Sequence, residues 1–185
     1  LDASKTIPGE DLIYAGDVDK WQKFANTLKL KIYLRQSGIR PNVKSAGIAA
    51  LEAEGAAFIG DGEDAQLNYK DALYQRNPLN ATIQYLQATN ITASKTSIDF
   101  LYDLDSTDIR MIDYYDEADA IGDWVGLEQG KGKVLGGAQS DGNFSHPSEQ
   151  IVGPVAKVKL ISYSESLFLQ AEAVARGWLT GDDKT

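Results

Sequence analysis

The amino-acid sequence predicts a mainly α-helical fold with long loops and few short strands. Two observations carry this. Residues 17–37 place Trp21, Phe24, Ala25, Leu28 and Ile32 at three- and four-residue spacings, which is one apolar face of a helix. Leu167, Phe168, Ala171, Val174 and Ala175 repeat that spacing near the other end of the chain. A third observation explains the loops: residues 119–154 are rich in glycine and show little periodicity.

The elements follow in order. Asp17 or Asp19 caps the first helix, and Lys29, Lys31 and Arg35 near its end complement the helix dipole. Gly38 stops it and Pro41 follows. Residues 42–54 read as a second helix whose face of Ala46, Ala49, Ala50 and Ala53 suits close packing, with Gly55 as its end. Residues 58–64 form an acidic turn punctuated by glycine, and residues 66–69 a short strand. Asn77-Pro78 is a turn, followed by helices near 81–87 and from Thr96 or Ser97 to Leu104, the latter carrying Ile98, Leu101 and Tyr102. Ser162-Tyr163-Ser164-Glu165 is a capping box, in which the serine caps the first turn and the glutamate reaches back. Gly177 ends that helix, and Asp182 or Asp183 would cap another. With no basic or apolar leader at Leu1-Asp2-Ala3-Ser4 and a helix beginning at the very end, the expectation is an internal piece of a longer protein; a trimmed chain is the alternative.

Composition narrows the function. The chain has 185 residues, 43% of them hydrophobic, which suits one globular domain or part of one. No stretch approaches the roughly 20 apolar residues that span a bilayer. A net charge of −9 and a pI near 4.6 argue against nucleic acid and anionic membranes as partners. There is no cysteine, so disulfides, zinc–thiolate sites and thiol nucleophiles are out. A single histidine, His146, excludes HExxH chemistry and is the one base a Ser–His–Asp triad would have. Its setting, Gly142-Asn143-Phe144-Ser145-His146-Pro147, reads as an exposed loop rather than a held base.

Candidate ligand contacts lie in the glycine-rich part. Trp124, in Gly122-Asp123-Trp124-Val125-Gly126, has no periodic face to bury it. A flat aromatic suits the C–H face of a pyranose, while neighbours such as Asn143 bond the hydroxyls. The alternative is a loop anchor. Tyr114 and Tyr115 carry the same two readings. Trp21, Phe24, Tyr163 and Phe168, at helical spacing, read as core. Asp113, Asp116, Glu117, Asp119 and Asp123 are numerous enough for calcium but lack the EF-hand pattern, as does Asp61-Gly62-Glu63-Asp64; a solvated acidic surface is the simpler account. Arg110 beside Asp108 reads as a structural ion pair at a helix end. Asn80-Ala81-Thr82, Asn90-Ile91-Thr92 and Asn143-Phe144-Ser145 are formal glycosylation sequons, without meaning in a bacterial protein.

Several segments together resemble the SusD/RagB family. The run from Asp11 to Lys31, through Tyr14, Gly16-Asp17, Lys20-Trp21 and Lys23-Phe24-Ala25-Asn26-Thr27-Leu28, is similar to the family's D-x-x-Y-x-G-D-x-x-K-W-x-K-F-A-N-S-L-K-L-R helix. Asn77-Pro78 resembles its mid-chain turn. Asp108-Ile109-Arg110 looks like its D-P-R, with isoleucine in place of proline. Ser162-Tyr163 with Glu165, then Ala171-Glu172-Ala173 and Gly177-Trp178, resemble its S-Y-x-E … A-E-A … G-W helix. The resemblance implies a single, incomplete SusD-like domain over residues 1–185, with tetratricopeptide-like helix pairs. It implies an upstream lipidated cysteine and a place on the outer membrane, facing the cell surface. The membrane is then met only through that anchor. It implies capture of oligosaccharides for a SusC-like TonB-dependent transporter, with no catalytic residues and no cofactor. The sugar-contacting residues of the family vary, so none transfers by motif. Two other readings stand beside it: a helical-repeat scaffold for protein or peptide, and a glycoside hydrolase, which needs two carboxyls about 5–10 Å apart in a cleft.

Overall fold

The structure, a computed structural model, describes residues 11–86, 91–131 and 142–181. The expected caps Asp182 and Asp183, Gln87, Asn90 and residues 132–141 of the long loop lie outside the described residues. The chain divides into two compact units, Leu1–Leu67 with Val158–Thr185, and Asn68–Lys157. As predicted, it is mainly helical with one two-stranded sheet among the described residues.

In the first unit, helix α1 spans Val18–Gln36. Asp17 caps it: its side chain accepts the Lys20 N–H at 3.1 Å. Just before it, Asp11 organises a tight turn, accepting N–H groups from Ile13, Tyr14 and Gly16 at 3.0, 3.3 and 2.9 Å. That turn passes through Ala15 and Gly16, at φ 52° and 89°.

The apolar face expected on α1 is only half correct. Trp21 and Phe24 pack with Tyr14, Ile59, Ala65 and Ile161. Leu28 and Ile32, however, are exposed, and the buried stripe runs through Asn26, Thr27, Leu30 and Leu34. Two polar residues are buried because they bond backbone. The Asn26 amide donates to the Ala57 carbonyl at 3.0 Å. The Thr27 hydroxyl accepts the Ile59 N–H at 3.0 Å and donates to the Lys23 carbonyl at 2.9 Å. Hydrogen-bonded this way, they remove the desolvation penalty that would otherwise expel them.

The expected second helix is broken in character. Helix α2 (Pro41–Val43) leads into a π-helical turn (Lys44–Ile48) and then helix α3 (Ala49–Ala53). Its alanine face does not pack: Ala46, Ala49, Ala50 and Ala53 are exposed, while Ile48 and Leu51 are buried. Close approach occurs at Gly47 instead, where a Cβ would lie 2.6 Å from the Tyr33 ring.

Strand β1 (Ala65–Leu67) pairs antiparallel with strand β2 (Val158–Ile161), Ala65 facing Ile161 and Leu67 facing Val158. Sequence reasoning did not anticipate β2. Asp64 ties the sheet to the next helix, its carboxylate accepting the Tyr163 N–H at 2.6 Å and pairing with Lys159 at 2.7 Å.

Helix α8, the eighth in chain order, spans Tyr163–Ala175. The Ser162 hydroxyl accepts the Glu165 N–H at 3.1 Å, as expected of a cap. The glutamate does not close the box: its carboxylate pairs with Lys31 at 2.6 Å. The buried face is also rotated from expectation. Ser166, Leu169 and Ala173 are buried, while Phe168 is 78% exposed. Small residues at 166 and 173 let α8 approach Leu30 and Leu34 of α1 and complete a core with Ile48 and Leu51.

In the second unit, Pro78 opens helix α4 (Pro78–Leu86), where its missing N–H is harmless. The buried Asn77 caps it, accepting the Leu79 N–H at 2.8 Å, and donates to the Ala156 carbonyl at 2.8 Å. Helix α5 spans Lys95–Leu104 and buries Ile98 and Leu101, as predicted. Helix α7 (Glu149–Val152) lies where only loop was expected, and helix α6 (Arg110–Tyr114) starts at the Asp108–Arg110 pair, which was expected at a helix end. No described helix is long and apolar enough to cross a membrane.

Candidate functional site

The glycine-rich stretch is held by a few crossed backbone bonds in the second unit. Ala93 N–H donates to the Ser145 carbonyl and Ser145 N–H to the Val125 carbonyl, both at 2.8 Å. Leu127 N–H donates to the Ala93 carbonyl at 2.8 Å, and Lys95 N–H to the Leu127 carbonyl at 2.9 Å. Fully buried Ser145 adds its hydroxyl as acceptor for the Val125 N–H at 3.0 Å. Gly126 is obligatory there, because a Cβ would lie 2.3 Å from the Lys95 Cα. The segments around residues 93–95, 125–127 and 145 are thus held by hydrogen bonds that they exchange with one another.

His146 is not the exposed loop residue expected. It is half-buried, and its Nδ1 lies 2.8 Å from the Ile91 carbonyl, where it knits the same crossing.

Trp124 sits on this framework. Its ring packs beside Ala93, Ile98, Leu101 and Met111, with Tyr102 and Tyr115 alongside. Its indole N–H donates to the Tyr115 carbonyl at 3.2 Å. One side of the ring stays open and walls a cleft of about 90 Å³ with Tyr102, Thr107, Asp108, Met111 and Ile112. So the ring is anchored and also presented.

Tyr102 and Asp108 of this cleft are paired. The Tyr102 hydroxyl donates to Asp123 at 2.8 Å, and the backbone N–H of Trp124 donates to the same oxygen at 2.7 Å. The bond to Asp123 raises the Tyr102 hydroxyl above the usual range, and the bond from Tyr102 lowers the Asp123 carboxyl. Asp108 accepts the Arg110 side chain at 2.9 and 3.0 Å, which holds its carboxyl low. This is the structural ion pair expected from Asp108 and Arg110, at the start of α6.

The other predicted residues are close in the chain but differently used. Tyr115 is half-buried and its hydroxyl shares a 2.8 Å hydrogen bond with Ser97. Tyr114 is 43% exposed and meets Tyr115 edge to face at 6.4 Å. Asn143 is half-buried two residues before Ser145. Of the four, Trp124 lines the cleft. Among the described residues no three acidic or histidine side chains gather to hold a metal ion.

The first unit has larger clefts that no predicted residue lines. One of about 310 Å³ lies among Leu51, Phe58, Gln170, Val174 and Leu179, and another of about 360 Å³ lies among Asp19, Gln22, Lys23, Asn26 and Glu54. The first includes the aromatic Phe58 in its lining, and the second has no aromatic side chain in its lining. The first is closed at one edge by Glu52, which binds the Thr180 N–H at 2.7 Å.

Comparison with known proteins gives a consistent result. Residues 1–185 match in full the SusD-like_2 family model, described as starch-binding and associating with the outer membrane. Among solved structures, the chain is similar to a chitin-binding protein at 24% identity and a TM-score of 0.74, over 99% of this chain and 41% of that one. A SusD homologue of Bacteroides fragilis aligns at 23% identity and a TM-score of 0.75, over 97% and 40%. A SusD homologue of Parabacteroides distasonis aligns at 20% identity and a TM-score of 0.69, over 100% and 42%. The chain spans about two fifths of the length of these relatives, and at such identities the likeness is one of fold. No curated protein matches it.

Proposed function

Because the chain belongs to the SusD-like family, which is matched from its first residue to its last, we propose that it is part of a non-catalytic glycan-capture protein of the outer membrane. The family match is the observation that carries this reading. In it, residues 1–185 belong to one SusD-like domain that is lipid-anchored and faces the cell surface. The captured oligosaccharide passes to a SusC-like TonB-dependent transporter.

The site chemistry supports capture over hydrolysis. A glycosidase needs one carboxyl kept protonated near neutral pH, by burial or a neighbouring charge of like sign. Asp108, which lines the Trp124 cleft, is instead lowered by Arg110, and Asp123, bonded to Tyr102 of the lining, is lowered by that bond. Neither is placed to donate a proton. What the cleft does offer is an indole edge beside fixed hydroxyl and carboxylate groups, which suits binding. At about 90 Å³ it is small against the roughly 300–1,000 Å³ of ordinary ligand pockets, so it would engage part of one sugar ring, with Tyr114, Tyr115 and Asn143 as further contacts.

The test is incubation of the full-length protein with soluble starch and chitin oligosaccharides. Retention without shortened products is the expected result. Product release that disappears on one carboxylate-to-amide change would establish a hydrolase instead.

A further inference from the structure

Residues 70–76 close on themselves. Lys70 N–H donates to the Gln75 carbonyl at 2.9 Å, Ala72 N–H to the Lys70 carbonyl at 2.8 Å, and Gln75 N–H to the Ala72 carbonyl at 3.0 Å. Arg76 pairs with Asp71 at 2.6 Å across the base. At the tip sits Tyr74, with φ 61° and 93% of its surface exposed. Leu73 beside it is 65% exposed.

Both features are unfavourable for the fold alone. In the left-handed region Cβ crowds the following carbonyl, so glycine or asparagine is the usual occupant of the third turn position. A bulky aromatic there is an outlier. The ring is also bare: among the described residues nothing stacks on it or bonds its hydroxyl. Local strain that stabilises nothing among the described residues points to a contact outside them.

We propose that Tyr74 is a stacking platform for a pyranose ring of the captured glycan. This rests on the glycan-capture reading given above. The phenol ring is flat, with an apolar face for sugar C–H groups and a hydroxyl at its edge. The self-closed turn holds the backbone that carries the ring, so little backbone freedom is lost on binding. Gln75 and the paired Asp71 and Arg76 supply polar groups beside it. A lipid surface would favour unpaired basic residues at such a tip, whereas Arg76 is taken by Asp71 and the whole chain carries −9.

The experiment compares wild type, Tyr74→Asn and Tyr74→Phe in the full-length protein, by calorimetry with soluble starch and chitin oligosaccharides, alongside thermal melts. Asparagine tolerates the left-handed region, so Tyr74→Asn should leave Tm unchanged or slightly raised. Its affinity should fall about threefold to tenfold, the range expected for one aromatic contact, while Tyr74→Phe stays close to wild type. Equal affinity of Tyr74→Asn and wild type overturns the platform and leaves capture standing. A marked fall in Tm overturns it by making the ring structural. Loss of a co-purifying protein with glycan affinity intact overturns it in favour of a protein contact. Failure of the wild type to bind either probe overturns capture and platform together.

Discussion

The indole N–H of Trp21 donates to the Asp11 carboxylate at 2.7 Å, in a bond that joins the turn before α1 to its first exposed-to-core transition. Trp21 also meets Tyr14 and Phe24 edge to face, at 5.3 and 5.4 Å. The Tyr14 hydroxyl donates to the Glu63 carbonyl at 3.0 Å. One acidic side chain thus satisfies a tight turn and orients the aromatic cluster that packs on the sheet.

This makes Asp11 and Tyr14 pH-sensitive groups of the first unit. Burial pushes the Asp11 carboxyl up, but the four N–H donors outweigh it and bring it down to about 2 from an ordinary 3.8. A depressed acid stabilises the fold above its unfolded value and loses that contribution as pH falls through about 2. Burial, with Glu63 next, raises the Tyr14 hydroxyl from 10.0 to about 12. That contribution is complete below 10.0 and disappears as pH rises through about 12. Urea midpoints should therefore decline at both extremes. Asp11→Asn should flatten the acid limb and cost about 1.5–3 kcal/mol at pH 7.

Thr27→Val keeps the shape and removes the hydroxyl. The Ile59 N–H is then buried without an acceptor, so the variant should lose about 1–3 kcal/mol with an unchanged m-value. Thr27→Ser should recover most of that loss.

On α8 two adjacent residues should behave oppositely. Leu169→Ala should cost about 2–4 kcal/mol, because Leu169 fills the core against Leu30 and Ile48. Phe168→Ser should stay within about 0.5 kcal/mol of wild type in the same melt.

Gly126→Ala tests the crossing beneath Trp124. With backbone of Lys95 in the way, the added methyl cannot be accommodated by a rotamer change. Near-UV circular dichroism of the tryptophans should weaken while helical signal is kept.

For Trp124 the informative change is conservative. Trp124→Phe retains ring packing on Ile98 and Met111 but loses the bond to Tyr115 and part of the cleft wall. Glycan affinity should fall by about threefold or more with a midpoint shift below that of Trp124→Ala. Equal affinity together with a large loss of stability would make Trp124 an anchor alone.

Local signals in the sequence were enough for whatever depends on local chemistry. Asp17 and Ser162 cap the helices they were expected to cap, and Gly55 and Gly177, at φ 61° and 67°, stand where helices end. Capping and chain reversal are settled within a few residues, so spacing reveals them. Trp124 stood out for a weaker reason, an aromatic in an aperiodic stretch, and it lines the small cleft, whereas Tyr114, Tyr115 and Asn143 do not. Tyr74 was invisible, because no glycine or asparagine marks its turn.

Tertiary structure alone decided which faces are buried. Asn26 and Thr27 lie inside while Leu28 and Ile32 lie outside, since segment 57–59 arrives with backbone groups that only polar side chains can bond. Ser166 and Ala173 lie inside while Phe168 lies outside, since two helices approach closely only across small residues. Hydropathy ranks a residue by its own transfer from water, whereas burial also depends on the partner that meets it, and that partner comes from elsewhere in the chain.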